Sequence, residues 1–305
     1  MKKIIAVIMA VSMLLALASC GAKQEDETTT GTTAEATTEP AESVTEESTE
    51  EDKTSESGNA DENGEDESES STETDEKKKP ETKAEILAVY AEVMNKVKKD
   101  APGFQKVEYQ ELPEEGRVIT SGKTMLSAGL SIASNFMTSK EDAEKKPDVY
   151  PKGNDMNDFP IRNTPKGCML EDPEFLKTAK YEELPDGNVR ITVVTGTEKN
   201  PEPAAHGAST APSKTGGIIT PISKKEIDEK LNGGIVSAVF KDVNYSLTFH
   251  DCESVLVFNP ENNRVVSLIQ TTRVSISGSG KSLGATLAIG NQDFVNHKII
   301  TNIKY

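Results

Sequence analysis

Between residues 21 and 79 the chain carries a single large apolar side chain, Val44. Everything else there is Thr, Ser, Glu, Asp, Gly and their like, centred on TTTGTTAEATTEPAESVTEESTEED. Such a segment has too little apolar surface to offset the entropy lost on ordering. A hydrophobic core must therefore come from residues 80–305. The same segment holds 21 of the 51 Asp and Glu but only 5 of the 34 Lys and Arg, so nearly all of the net charge of −17 belongs to it. The acidity describes a solvated arm. The remainder is close to neutral and shows no basic stripe, which argues against nucleic acid as a partner. A neutral flexible chain of this length spans roughly 40–45 Å root-mean-square, and like charge extends it further. The arm reads as a spacer. A calcium-collecting role is disfavoured, since the D-x-[DN]-x-[DN]-G ligand spacing is missing. Its Thr and Ser density permits O-glycosylation, which the sequence does not decide.

Residues 1–19 read as a signal peptide: Lys2 and Lys3 form the positive region and 4–17 a continuous apolar run broken only by Ser12. That run is short for a membrane span. Leu17-Ala18-Ser19-Cys20 resembles a bacterial lipobox. The resemblance implies cleavage before Cys20 and a thioether-linked diacylglycerol of the palmitate class on its sulfur. The mature chain then sits on the extracytoplasmic face of a bacterial cell membrane, held by acyl chains worth about 0.8 kcal/mol per buried CH₂. Residues 20–79 become the lipidated terminus and linker, and residues 80–305 a single globular domain.

The domain opens with a helix, PETKAEILAVYAEVMNKVKK. Thr82 and Glu85 form a capping box. Ile86, Tyr90, Val93 and Val97 make one stripe, flanked by Leu87 and Met94, and Lys96, Lys98 and Lys99 suit the negative end of the helix dipole. FQKVEYQEL predicts a short strand, and 122–137 a second helix with Met125, Ile132 and Phe136 on its face. Residues 139–170 predict a long loop. Asp172-Pro173-Glu174 opens a short helix through Lys177. The Pro-Asp-Gly at 185–187 bends a hairpin, and 199–217 predicts a loop. PISKKEIDEKLNGG is a helix capped by Ser223 and Glu226, stapled by Ile222 and Ile227, and ended by Gly233. Three long strands follow, over 243–259, 264–277 and 283–305. In the last, Val295, His297, Ile299, Thr301, Ile303 and Tyr305 share a face and are expected to bury. Asn296, Lys298, Asn302 and Lys304 are expected to meet water.

GSGKS at 278–282 has the ending of a nucleotide-binding P-loop. The glycine required five residues before the Gly-Lys pair is Ser275, and a strand pattern follows where a helix is needed. A hairpin turn is the better reading, and no nucleotide is expected. TFHDCES gathers His250, Asp251, Cys252 and Glu253 but lacks further zinc ligands, so no metal site is assigned. Asp155 and Asp158 read as a polar loop. His206 lies in a loop without a nucleophile elbow. No catalytic residue and no cofactor is assigned. Cys168 and Cys252 form an even pair in an exported domain. They are either a disulfide, worth about 4 kcal/mol for so long a loop, or two buried free thiols. His297, on a mostly apolar strand face, is the candidate ligand contact if that face lines a cavity. The chain has no tryptophan and is only 5% aromatic, which disfavours stacking on sugars.

The fold class expected is α+β: a curved antiparallel sheet, a C-terminal meander, packed by N-terminal and inserted helices. This element order resembles the LolA/LppX-like half-barrel lipoproteins, in which helices lie on the concave side of the sheet. The resemblance implies a non-enzymatic protein that binds an apolar or small ligand. The alternatives are an envelope scaffold without a small ligand and, less favoured, an envelope hydrolase using His250 or His297.

Overall fold

Two very long strands, β9 (Arg264–Ser282) and β10 (Ala285–Lys304), organise the domain. The computed structural model describes residues 79–305 apart from 136, 233–239 and 283, and of 132 and 230 only the backbone. The expected signal peptide, Cys20 and the acidic linker lie outside the described residues, as do Phe136 and Gly233. Strands β9 and β10 pair antiparallel from Ala285↔Ser282 to Ile300↔Leu268. Beyond β10 lie β2 (Val118–Ser121) near the hairpin tip and β1 (Gly103–Glu111) near its base, with β3 (Asp148–Tyr150) on the outer edge of β1. Beyond β9 lie β7 (Phe240–Phe249) near the tip and β8 (Glu253–Asn259) near the base. Next to β8 come β5 (Val189–Thr195) and the edge strand β4 (Leu176–Glu183), while the short β6 (Glu198–Lys199) pairs with β7. The result is an open, curved, ten-stranded antiparallel sheet with four α-helices among the described residues, so the domain is α+β.

Helix α1 (Lys83–Asp100) lies across β4, β5 and β9. Its capping box forms as expected, with Thr82 Oγ1 accepting from Glu85 N and Glu85 accepting in return. The apolar stripe is buried as expected: Tyr90, Val93, Met94 and Val97 are wholly inaccessible, in one core with Leu256, Phe258, Leu268 and Ile300. Deeply inserted side chains of this kind each stabilise by about 1.5–3 kcal/mol. The Tyr90 hydroxyl avoids an orphaned polar group by bonding Ser254 Oγ at 2.7 Å. Helix α2 (Lys123–Ser134) forms; of its described side chains Leu126, Leu130 and Ala133 are buried, and Met125 is half-buried. Residues 139–170 are less irregular than expected: they hold α3 (Lys140–Lys145), capped by Ser139, and β3. The expected helix at 172–177 is a single 3₁₀ turn, Pro173–Phe175, before β4 begins. Helix α4 (Lys224–Leu231) starts under Ser223, whose Oγ accepts from Glu226 N at 3.3 Å, and Ile222 and Ile227 are buried beside it.

The meander departs from expectation in three places. The strand expected over 243–259 is two, β7 and β8, because residues 250–252 leave the sheet and Asp251 has φ 48°. GSGKS is not the turn. It lies inside β9, which ends at Ser282; Gly284, just before β10, has φ 80°. Gly278 is required by close approach: a Cβ there would stand 2.8 Å from Asn244 O on β7. The third departure concerns which side of β10 is covered. Pairing steps from Ile289↔Gly278 to Gln292↔Ile276, so β10 carries one extra residue. Leu287, Ile289, Gln292, Phe294, Asn296, Lys298 and Ile300 consequently share one face. That face is turned to the core, and Asn296 and Lys298, expected in water, are each only 8% exposed. Val295 is buried on the opposite side, with His297 and Ile299 half-buried beside it.

Candidate functional site

The core-facing side of the β9–β10 hairpin changes character along its length. At mid-height it is polar. Glu108 of β1, Lys298 of β10 and Gln270 of β9 stand in register, as do Gln110, Asn296 and Thr272. Gln110 Nε2 donates to Asn296 Oδ1 at 3.0 Å, and Asn296 Nδ2 donates to Glu108 Oε1 at 3.1 Å. One strand position away, Lys106 reaches Asp148 at 3.4 Å, Asp158 at 3.6 Å and Glu108 at 3.9 Å, and donates to Tyr150 Oη at 2.9 Å. Arg162 approaches Asp158 at 3.4 Å.

The loop that supplies Arg162 is pinned by α1. Lys98 Nζ donates to three backbone carbonyls, Met156 O at 2.7 Å, Phe159 O at 2.7 Å and Ile161 O at 2.8 Å. One turn earlier, Asn95 Oδ1 accepts from Gly167 N at 2.9 Å and Cys168 N at 3.1 Å. Thr220 Oγ1 accepts from Arg162 N at 2.9 Å. These bonds close a cavity of about 30 Å³, lined by Glu108, Arg162, Thr220, Pro221, Ile222, Gln270, Thr272, Asn296 and Lys298.

The electrostatics follow from burial and neighbours. Burial pulls the Lys98 ammonium down to about 7, and the nearby Lys298 charge pulls the same way. Burial also lowers Lys298 from the ordinary lysine range, against the attraction of Glu108. For Glu108 burial opposes ionisation, but the Lys298 and Lys106 ammoniums outweigh it and hold the carboxyl below its usual range. Lys106 is likewise desolvated, yet its Tyr150 bond and its carboxylate neighbours carry it above its usual value.

Toward the tip the same face becomes apolar. A groove of about 160 Å³ is walled by Leu126 of α2, Phe240, Val243 and Tyr245 of β7, Ile276 of β9 and Leu287 and Ile289 of β10. Gly278 and Gly280 also line it, with β7 packed close against their backbone. The residues that resemble a P-loop in sequence thus line an apolar recess.

Other candidates fall elsewhere. Cys168 and Cys252 are both buried free thiols, so the disulfide alternative is not formed. Each is held by its own surroundings, Cys168 in the loop bonded to Asn95 and Cys252 beside Arg273 O at 3.5 Å, and burial pushes each thiol up to about 11. His297 lies on the opposite face of β10 from both recesses. It stacks on Tyr109 with ring centroids 4.5 Å apart, and its Nδ1 is 3.3 Å from Thr271 Oγ1. Asp155 closes an Asx turn on Asn157 N at 2.9 Å, while Asp158 joins the Lys106 network. His250 is better connected than its sequence neighbourhood suggests. Its Nδ1 is 3.1 Å from Asp251 Oδ2 and its Nε2 is 2.9 Å from Ser275 Oγ, an acid–base–hydroxyl order. The Ser275 hydroxyl, however, donates to Asp293 Oδ1 at 2.6 Å. Ser275 also sits mid-strand with β7 on one side and β10 on the other, so its backbone N–H belongs to the ladder and is not available as an oxyanion donor.

No protein-family model, no curated protein and no solved structure matches this chain. Sequence reading missed Lys298, Glu108, Lys106 and Arg162 as a group. The available signal was the alternation Lys106-x-Glu108-x-Gln110 set beside Asn296-x-Lys298, two polar strand faces of complementary chemistry. Only the pairing of β1 with β10 reveals that they meet.

Proposed function

We propose that the domain is the ligand-binding head of a lipid-anchored extracytoplasmic protein, non-enzymatic, which receives a small apolar group in the groove at the hairpin tip. The observation that carries this reading is the groove itself. It is walled almost entirely by hydrocarbon and aromatic surface, with Asn244 and Ser279 as its polar margins. Its volume, about 160 Å³, is that of a small ring or a short acyl end. An engineered apolar cavity of roughly 150 Å³ stays dry and takes up benzene. A lipid lying along the whole sheet, as the half-barrel resemblance implies, is less well supported, because α1 already fills the core face beneath Tyr90, Val93 and Met94. A hydrolase centred on His250 is disfavoured by the engaged Ser275 hydroxyl and the lack of an oxyanion donor on that strand.

The anchor is part of the same proposal: acylation of Cys20 and an acidic spacer would hold the head away from the bilayer. Mass spectrometry of the mature N-terminus tests it, and an unmodified Cys20 thiol would overturn it. The groove is tested by titrating the protein with 1-anilinonaphthalene-8-sulfonate and with benzene. Val243 is 41% exposed at the rim, so Val243→Glu leaves the core intact. Saturable binding that weakens at least tenfold in Val243→Glu is expected. Equal binding by both proteins, or none by either, would remove the groove from consideration.

A further inference from the structure

We infer that the cavity between Lys298 and Arg162 is a binding site for a small monovalent anion of the size of chloride or formate. It is separate from the apolar groove, and its occupancy goes beyond the function proposed above.

Three observations carry the inference. First, Lys298 is more than nine-tenths buried, lines the cavity, and makes no hydrogen bond or ion pair among the described residues. Glu108 attracts this ammonium, but no acceptor among the described residues stands within hydrogen-bond distance of it, and a desolvated N–H donor calls for one. Second, Arg162 Nε is also buried and unpartnered, on the same cavity wall. The Arg162 fork is turned so that a terminal nitrogen serves Asp158 while Nε is left over. Third, the carboxylate on the wall is already engaged. Glu108 accepts from Asn296 Nδ2 and faces Lys106 at 3.9 Å. Asp158 already answers the Arg162 charge, so what the lining leaves over is a pair of N–H donors, Lys298 Nζ and Arg162 Nε, which an anion between them would accept from. The Thr220 and Thr272 hydroxyls border the same space and are suited to donate to it.

Size sets the ligand class. A cavity of about 30 Å³ holds about two water-sized spheres, enough for a halide or a one-carbon carboxylate and too little for sulfate, phosphate or a nucleotide. Burial lowers the Lys298 ammonium from the ordinary lysine range, and an anion beside it would favour the charged form.

The experiment is thermal unfolding of the purified protein in sodium chloride and in sodium formate, against sodium sulfate at equal ionic strength. A saturable rise in Tm with chloride or formate, absent with sulfate, is expected. Lys298→Gln should abolish the rise, and Arg162→Gln should shift its half-saturation at least tenfold to higher concentration. If Lys298→Gln does not fold, broadening of the chloride-35 resonance by the wild-type protein, removed by formate and reduced in Arg162→Gln, decides in its place. Identical unfolding in all three salts without resonance broadening, or a full chloride effect retained in both variants, would overturn the inference and leave the cavity to water. Neither result bears on the groove, where Val243→Glu reports separately.

Discussion

Tyr109 lies nearly flat against His297, their ring planes 19° apart and their centroids 4.5 Å apart, on neighbouring strands β1 and β10. Burial lowers the pKa of this imidazole, and the Glu111 carboxylate, 3.7 Å from Nε2, offsets only part of the effect. The unfolded chain therefore binds the proton more readily than the folded one. Stability contributed at this position is present above the ordinary histidine value of about 6.5 and is lost as pH falls below it through the lowered folded-state value. His297→Phe keeps the stack and removes the titration. Urea unfolding at about pH 7 and pH 5 should show wild type losing more stability than His297→Phe. Equal losses would show that His297 does not contribute to the acid response.

Lys98 is the post to which residues 156–161 are tied, and Lys98→Met would orphan the Phe159 carbonyl and leave Met156 O and Ile161 O with only the Phe159 N and Thr164 Oγ1 donors. A destabilisation of about 3 kcal/mol or more is expected in urea unfolding. Because burial brings the folded-state pKa down to about 7, the unfolded chain holds the extra proton between there and the ordinary lysine value. Wild-type stability relative to Lys98→Met should consequently rise with pH from about 7 to 10. A flat difference across that range would count against a charged, desolvated Lys98.

Gly167 packs its backbone onto α1. A Cβ at this position would stand 2.3 Å from Met94 O, a backbone atom that cannot yield without moving the helix. Gly167→Ala should therefore destabilise by about 2 kcal/mol or more, well beyond an ordinary loop substitution. Its crystal structure should show the 156–168 segment displaced from α1. An unchanged unfolding midpoint would disprove the tight approach.

The two internal thiols should be chemically silent in the native state. Both are buried, and both have their pKa raised to about 11, so little thiolate exists near neutral pH. With 5,5′-dithiobis(2-nitrobenzoate), Cys168 and Cys252 should react only as fast as the domain unfolds, and both should react at once in urea. Rapid labelling of either in native protein would show that its pocket opens locally.

Much of this architecture is legible in the chain because its causes are local. The near-absence of large apolar residues between 21 and 79 sets where a core begins. Thr82 with Glu85 caps α1, its heptad-like stripe buries as spaced, and Ser223 with Ile222 and Ile227 starts α4. Each depends on residues within about two helical turns of one another. The tertiary structure decided the rest. Alternation along β10 reveals two faces but not which one the helices and loops will cover. That choice depends on register with β1, whose Gln110 meets Asn296 across 186 residues of sequence, and on one extra residue at 290–291 that rotates the hairpin tip. Lys298 becomes buried and partnerless only because α1 folds the Arg162 loop over it. Glycines 278 and 280 line a groove only because β7 comes to lie beside them. Periodicity records the geometry of a single element, while burial and charge environment arise where distant elements meet.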